Sequence, residues 1–316
     1  KKNIRNTVLD LFKNTVTTAA GSMLDMESAQ RQLQASTGAT TGEMQQYKKV
    51  MEELHSNNYG QDIQDVADSM ALVKQYTGDI DASALKEMTE DGIAMRDVFG
   101  MDLSETIRGV DSLMENMGLT SEDAFDLMAK GAQNGLDKSG ELADNIAEYG
   151  QLWAQAGFSA EEMFTILQNG LDSGAYNLDK INDFVKEFTI SLADGRIEEN
   201  LKHFSSGTRT LFQQWKTGKA TAKDVFQSVV NDLATAENQQ EALAIASETW
   251  SALGEDNAMK VITSLNKTNQ AYKNVQGTME DIKKIKYDTL EARFQSLGKK
   301  FQTEVAVPIA EKALPA

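Results

Sequence analysis

The chain has 316 residues, 41% of them hydrophobic and 25% charged, and carries a formal net charge of −17 at pH 7. This length is sufficient for a sizeable hydrophobic core, and the absence of cysteine excludes disulfides, thiolate metal sites and cysteine nucleophiles. Residues 35–254 hold 16 basic and 37 acidic side chains. This charge repels nucleic-acid phosphates and anionic lipid headgroups, so we expect no direct nucleic-acid binding. It serves either plain solubility or compatibility with an acidic environment that excludes or conducts DNA.

The composition indicates an all-α protein. The only two prolines are Pro308 and Pro315, and proline is the residue that interrupts helices most strongly. The sequence shows no run of about 18 apolar residues, so membrane contact is not supported for this segment. There is no secretory signal. The chain lacks an initiator methionine and begins in a helical pattern, so we expect it to be part of a longer protein.

The first predicted unit, residues 1–60, consists of one long helix followed by a short one. Apolar residues recur at spacings of three and four over residues 3–34, which is typical of an amphipathic helix. The sequence STGATTGE at 36–43 ends this helix and caps the next one. A further helix is predicted from Ile63 to about Tyr76.

Two similar phrases lie 39 residues apart: GLTSEDAFDLMAKG at 118–131 and GFSAEEMFTILQNG at 157–170. Each contains a hydroxyl, Thr120 or Ser159, followed three residues later by an acid, which is a pattern typical of helix starts. Apolar residues then follow at helical spacing. The glycine that closes each phrase is predicted to cap the end of its helix.

The similarity extends across the whole period. Phe125 matches Phe164 at the same offset, and a fainter copy, GDIDASALKEM at 78–88, aligns at an offset of 40. A period of about 40 residues with two short helices is typical of helix-pair repeats, which stack because one pair cannot bury its apolar face alone. We therefore predict a helical-repeat body over 61–195, continued by further helical hairpins over 196–256.

The last predicted unit, residues 257–316, is a long amphipathic helix that resembles a coiled coil. Its apolar stripe follows a nearly heptad pattern with one discontinuity near Ile285, and basic residues lie beside it. Two interpretations remain open: self-association through residues 257–307, or antiparallel docking on the acidic body of the same chain. The stripe comprises Val261, Leu265, Tyr272, Val275, Met279, Ile282, Leu290, Phe294, Leu297, Phe301 and Val305.

The sequence offers no convincing catalytic, cofactor or metal site. His55 and His203 are far apart and have no second ligand at metal-binding spacing. The segment TGKAT at 217–221 is not a phosphate-binding loop. It lacks the motif's first glycine, five residues before Gly218, the hydroxyl residue directly after the lysine, and the strand that precedes such a loop. There is no G-x-S-x-G motif. We therefore predict that the protein is not an enzyme, that it has no cofactor, and that its catalytic, cofactor-binding and metal residues are none.

One segment partly matches a calcium loop. In DIDASALKEMTE, Asp79, Asp81, Ser83 and Glu90 stand at ligand positions 1, 3, 5 and 12. Position 6 is Ala84, where the loop requires glycine for its sharp turn. A helix cap by Asp81 accounts for the same residues, so no calcium site is predicted.

Three longer phrases together resemble the tape measure proteins of tailed bacteriophages. They are LQASTGATTGEMQQYKKVMEEL (33–54), DIQDVADSMALVKQYTG (62–78) and GLTSEDAFDLMAKGAQNGLDKSGELADNIAEYG (118–150). The resemblance covers about residues 30–255 and depends on the order and spacing of these phrases. The long apolar stretches, very long coiled coils and peptidoglycan-cleaving domains that occur in the family are not found in this segment.

The resemblance implies a structural protein of a phage tail, or of a prophage-derived particle. Such a protein occupies the tail tube lumen, sets tube length, and leaves before DNA is ejected. The implied partners are tail tube proteins, baseplate or tail-tip proteins and tail assembly chaperones. The implied location is the virion tail, assembled in the bacterial host cytoplasm. The alternative is a cytoplasmic helical-repeat adaptor or scaffold that binds partner peptides. A helical lytic enzyme is a third, weaker interpretation.

Overall fold

A computed structural model describes residues 21–250, 258–267, 270–301 and 304, and every regular element in these ranges is helical. The prediction of an all-α fold is confirmed. The helices, in chain order, are α1 (residues 21–37), α2 (Thr41–Ser56), α3 (Ile63–Thr77), α4 (Ala82–Phe99), α5 (Leu103–Met117), α6 (Ser121–Gln133), α7 (Leu142–Ala156), α8 (Ala160–Asp172), α9 (Leu178–Ala193), α10 (Arg196–Glu199), α11 (Ser206–Lys216), α12 (Ala222–Ala234), α13 (Gln239–Trp250), α14 (Ala258–Ser264), α15 (Thr278–Tyr287) and α16 (Leu290–Phe301). A short 3₁₀ helix, Leu201–His203, precedes α11.

The helices begin at the polar residues that the sequence marked as caps. The Thr40, Ser159 and Thr221 side chains each accept a hydrogen bond from the backbone N–H three residues later, where an acid completes a capping box. Thr120 caps α6 by the same bond to Asp123. These local bonds satisfy backbone donors that have no partner within the helix, so the helix starts could be identified from sequence.

The chain divides into two compact units. Unit 1 comprises Lys1–Ile107 with Met279–Ala316, and unit 2 comprises Arg108–Thr278. This division differs from the predicted segments, because the boundary after Ile107 falls inside the predicted repeat body of 61–195. Residues 1–20 of the predicted N-terminal helix lie outside the described residues, whereas the described part of that prediction is helical from residue 21.

Unit 1 is built on α2, α3 and α4, which pack against one another. The apolar stripe of each helix is buried in the common core. Arg96 on α4 fixes α3 with two parallel hydrogen bonds to the Asp65 carboxylate, at 2.8 and 2.9 Å. This bidentate geometry gives orientation as well as attraction. The core includes Met51, Leu54, Val66, Met70, Leu85, Met88 and Ile93.

Unit 2 has an aromatic core around α7, α9, α12 and α13. Phe188, Phe226 and Trp250 contact one another with ring centroids 5.1–6.5 Å apart. The buried indole N–H of Trp153 donates to Asn182 Oδ1 at 2.7 Å, and Asn182 Nδ2 donates to Asn145 Oδ1 at 2.6 Å. Because these buried polar groups are paired, the core avoids the cost of unsatisfied donors.

A close helix–helix approach recurs with a period of 39 residues. In three successive copies a glycine inside one helix lies against an apolar side chain near the start of the next helix, leaving no space for a Cβ. The residues that cap the helix starts recur at the same interval of 39. The N-caps of α4, α6 and α8 are Asp81, Thr120 and Ser159. The third copy therefore has an offset of 39, not the predicted 40. A Cβ would lie 2.7 Å from Leu103 Cδ1 at Gly92 and 2.5 Å from Ile181 Cδ1 at Gly170. At Gly131 it would lie 3.2 Å from Leu142 Cδ2 and 2.9 Å from Phe164 Cε1.

The predicted helix-capping role of Gly131 and Gly170 is wrong. Both lie inside their helices, which continue to Gln133 and Asp172. The C-caps are Asn134 and Ser173, and each is followed by a glycine with a left-handed backbone, Gly135 (φ +85°) or Gly174 (φ +102°). Gly131 and Gly170 serve packing, and the two roles cannot be distinguished from a glycine's position in the sequence alone. The terminal bonds match in both copies: Leu136 N–H donates to the Gly131 carbonyl and Ala175 N–H to the Gly170 carbonyl.

The predicted long helix over 257–307 is also wrong for the residues that the structure describes. Three short helices occupy this region, and Gly277 (φ +81°) directly precedes α15. Residues 257, 268–269, 302–303 and 305–307 of that prediction lie outside the described residues. The first half of the predicted stripe is core: Val261, Leu265 and Tyr272 are at most 3% exposed, and Tyr272 O–H donates to Gln168 Oε1 within unit 2. Periodicity places apolar residues on one side of a helix, but it does not show whether the same unit covers that side or leaves it exposed.

Candidate functional site: the exposed face of α16

One face of α16 is apolar and exposed to solvent. Leu290, Phe294, Leu297 and Phe301 are 73%, 67%, 63% and 59% exposed. Their spacings of four, three and four place them in a single stripe along the helix. Isolated exposed apolar residues are ordinary, but a continuous stripe of four large ones is typical of an interaction surface.

The opposite side of α16 anchors the helix to unit 1. Ala292 is 9% exposed, and its carbonyl accepts a hydrogen bond from Asn58 Nδ2 at 2.6 Å. α16 packs against α2, where His55 lies near Lys299. The stripe is therefore presented by a helix whose other side is held in place.

An open cleft of about 800 Å³ runs beside the stripe. It lies between α15, α16 and the loop after α2, where the rings of Tyr59 and Tyr287 contact each other with centroids 4.4 Å apart and planes tilted by 43°. The cleft is lined by Asn57, Asn58, Tyr59, Glu90, Glu280, Lys283, Lys284, Tyr287, Asp288, Ala292, Arg293, Ser296, Leu297 and Lys300.

Two of the four cations that line the cleft are neutralised by neighbours in unit 1. Lys283 Nζ lies 2.8 Å from Asp91 Oδ1 and 3.6 Å from Glu280 Oε2. Burial opposes the charge of Lys283, yet these carboxylates raise the pKa of its ammonium above the usual value. Arg293 Nε lies 2.7 Å from Asp288 Oδ1.

The other two cations, Lys284 and Lys300, are exposed and make no ion pair with the residues that the structure describes. The site therefore combines an apolar stripe with a basic edge. This is unlike the rest of the chain, which is strongly acidic.

A family model, described as "Phage-related minor tail protein", matches residues 53–247. The chain belongs to the family of phage-related minor tail proteins. Comparison with curated proteins and with solved structures gives no match. The matched region covers most of unit 2 and residues 53–107 of unit 1 but not α16, so the exposed face lies outside the part of the tail protein that matches the family model.

The histidines of this tail protein do not come together. His55 is partly buried on α2, whereas His203 lies 3.5 Å from Glu248. In the described ranges no three His, Cys, Asp or Glu side chains are arranged to hold a metal ion. Likewise, none of the described helices is both long enough and apolar enough to cross a bilayer.

The residues that partly matched a calcium loop have other roles. Asp81 caps α4, accepting from the Ser83 and Ala84 N–H groups at 2.8 and 2.9 Å. Asp79 is fully exposed beside Lys74, and Glu90 lies 3.9 Å from Lys283. The TGKAT segment is the turn between α11 and α12, where Thr221 serves as a helix cap.

The sequence did not identify the α16 face as a separate feature. Its four residues belonged to the predicted stripe over 257–307, and nothing in their spacing distinguishes them from the buried half. The discontinuity near Ile285 was the available signal, since Ile285 is 78% exposed and α15 ends two residues later.

We expect unit 1 of the tail protein to lose stability when His55 becomes protonated. Burial, with Lys299 nearby as the second cause, lowers the pKa of His55 from 6.5 to about 4. Because the pKa of His55 is lower in the folded state than in the unfolded state, neutral His55 adds to the free energy of unfolding. This contribution is complete above pH 6.5 and is lost as the pH falls towards 4. NMR titration of the imidazole in a His203→Gln background would give the pKa of His55 directly.

The matched comparison is His55→Gln, which cannot be protonated. The difference in unfolding free energy between wild type and His55→Gln should shrink or reverse as the pH falls below 6.5. Other groups titrate equally in both proteins, so they cancel in this difference. A difference that does not change with pH would contradict the prediction.

Proposed function

We propose that this tail protein acts as a tape measure that sets the length of the tail tube and occupies its lumen before DNA ejection. Membership of a phage tail family and the resemblance of residues 33–54, 62–78 and 118–150 to tape measure proteins support this role. The family match favours it over a cytoplasmic adaptor, and a tail component of this kind needs no catalytic chemistry.

The observation that carries the proposal is the 39-residue module. The cap, the core positions and the close glycine contact all recur at this interval. In repeat architectures each module mainly contacts its neighbours, so length changes by whole modules without loss of the fold. A chain built in this way can measure length.

The proposed partners follow from the same role. A protein inside the tail tube contacts tube proteins along its length and baseplate or tail-tip proteins at one end. Tail assembly chaperones would accompany it in the host cytoplasm before it enters the virion. Self-association of the C-terminal region, if it occurs, would use α16, because the stripe from Val261 to Ile282 is buried.

The test is to lengthen or shorten the gene by one module in the genome of the phage or phage-derived particle that carries it. Duplicating residues 118–156 in frame should lengthen the tail, and deleting them should shorten it. Since a helix rises 1.5 Å per residue, 39 residues add at most about 60 Å. Electron microscopy of purified particles measures the change.

A substitution at an exposed site provides the length-neutral control. Tyr176→Glu alters a residue that is 94% exposed and should leave tail length unchanged. Normal tails of wild-type length from both the duplicated and the deleted gene would contradict a measuring role, leaving a minor tail component of fixed size.

A further inference from the structure

We propose that the α16 face and its cleft form a docking site for an amphipathic helix of another protein, one that carries acidic side chains beside its apolar stripe. The inference stands on unit 1 alone and does not depend on the tape measure role. It goes beyond tail membership by specifying the chemistry of a partner.

The apolar part of the site fits a helix. Leu290, Phe294, Leu297 and Phe301 span three turns on one side of α16 and stay exposed while the opposite side is packed. A helix that binds in such a groove contributes anchors at similar spacing. Phe and Leu side chains on both partners would then exclude water from the contact.

The polar part of the site specifies the sign of the charge that the partner helix carries. The helical period places Arg293 and Lys300 along one edge of the stripe, on the side of the cleft. Lys283 and Arg293 are neutralised by Asp91 and Asp288. Lys284 and Lys300 make no ion pair within 4 Å with the described residues, although the charge of Lys284 acts on the Asp288 carboxylate at longer range. Acidic side chains on the docked helix would supply the missing partners.

A second copy of α16 fits less well. In an antiparallel pair, the edges that carry Lys300 would face each other and repel, whereas Arg293 is already paired with Asp288. Residues 1–20 are a poor occupant too, because they hold four basic residues and one acidic residue.

The experiment uses the full chain and two labelled synthetic peptides. Both peptides have about three heptads with leucine at the a and d positions. One carries glutamate beside the stripe and the other carries lysine. Fluorescence anisotropy should show that the wild-type protein binds the glutamate peptide at least about tenfold more tightly. The net charge of −17 would by itself favour the lysine peptide, so the opposite preference reports the local site.

Three variants locate the binding. Lys284→Glu with Lys300→Glu should reverse the preference, and Phe294→Glu with Leu297→Glu should weaken both peptides by at least about tenfold. Tyr176→Glu, which alters an even more exposed aromatic residue in unit 2, should change the binding of neither peptide. All the altered side chains are exposed, so unchanged circular dichroism and melting would verify the fold.

Each of several results would overturn the proposal. Equal affinity for the two peptides would show that the lysines do not select an acidic partner. Wild-type affinity of the Phe294→Glu, Leu297→Glu variant would show that the apolar stripe does not bind the peptide. If light scattering showed that the wild-type protein is a dimer and that this variant is a monomer, the occupant of the site would be a second copy of the chain. Binding to phosphatidylglycerol vesicles that the same variant abolishes, without any peptide preference, would make the partner a lipid surface.

Discussion

Replacing Phe125 with alanine is expected to lower the free energy of unfolding of the protein by about 3–5 kcal/mol. Phe164→Ala should have an effect of the same size. Both rings are fully buried at the same position of successive 39-residue modules. Truncation removes the transfer free energy of the ring and leaves a cavity that the surrounding helices cannot fully close.

The matched control is Phe294→Ala, since Phe294 is 67% exposed on α16. Its effect should stay within about 0.5 kcal/mol. Urea unfolding of the three variants, followed by circular dichroism, measures the differences. If Phe125→Ala and Phe164→Ala were as mild as the control, the stabilising core role given to the two rings would be wrong, and clearly different effects would show that the two modules are not equivalent.

Replacing Lys283 with methionine is expected to cost about 3 kcal/mol, because it leaves Asp91 without its cation in a buried position. Lys283 is 16% exposed and Asp91 is 9% exposed, and their charged atoms lie 2.8 Å apart. Methionine preserves most of the apolar stem, so the loss reports the charge. Denaturant unfolding near neutral pH measures it.

The adjacent lysine provides the control for this prediction. Lys284→Met removes the same charge from an exposed position without an ion pair to the described residues, and should change stability by less than about 0.5 kcal/mol. Adding Asp91→Asn to Lys283→Met should recover part of the loss, because the unpaired charge is then removed. Equal effects of Lys283→Met and Lys284→Met would contradict the role given to the buried pair.

The sequence by itself determined the helical class, the helix starts and most of the repeat. These features are local, since Thr40, Thr120, Ser159 and Thr221 cap the helices that follow them within three residues. The absence of proline before Pro308 and the recurring apolar spacing act at the same short range. The phrases that resemble tape measure proteins were local patterns too, and they led to the same tail class as the family match.

Only the tertiary structure decided what each apolar or small residue contacts. Gly131 and Gly170 looked like helix ends, but Leu142 and Ile181 from the following helices occupy the space beside them. Tyr272 and Phe294 belonged to one predicted stripe, yet the first is 1% exposed and the second 67% exposed. Helical periodicity places residues on a common side of a helix, whereas the surface that covers this side is contributed by residues distant in the sequence. For Tyr272 that surface belongs to its own unit, and for Phe294 we propose that it belongs to a partner.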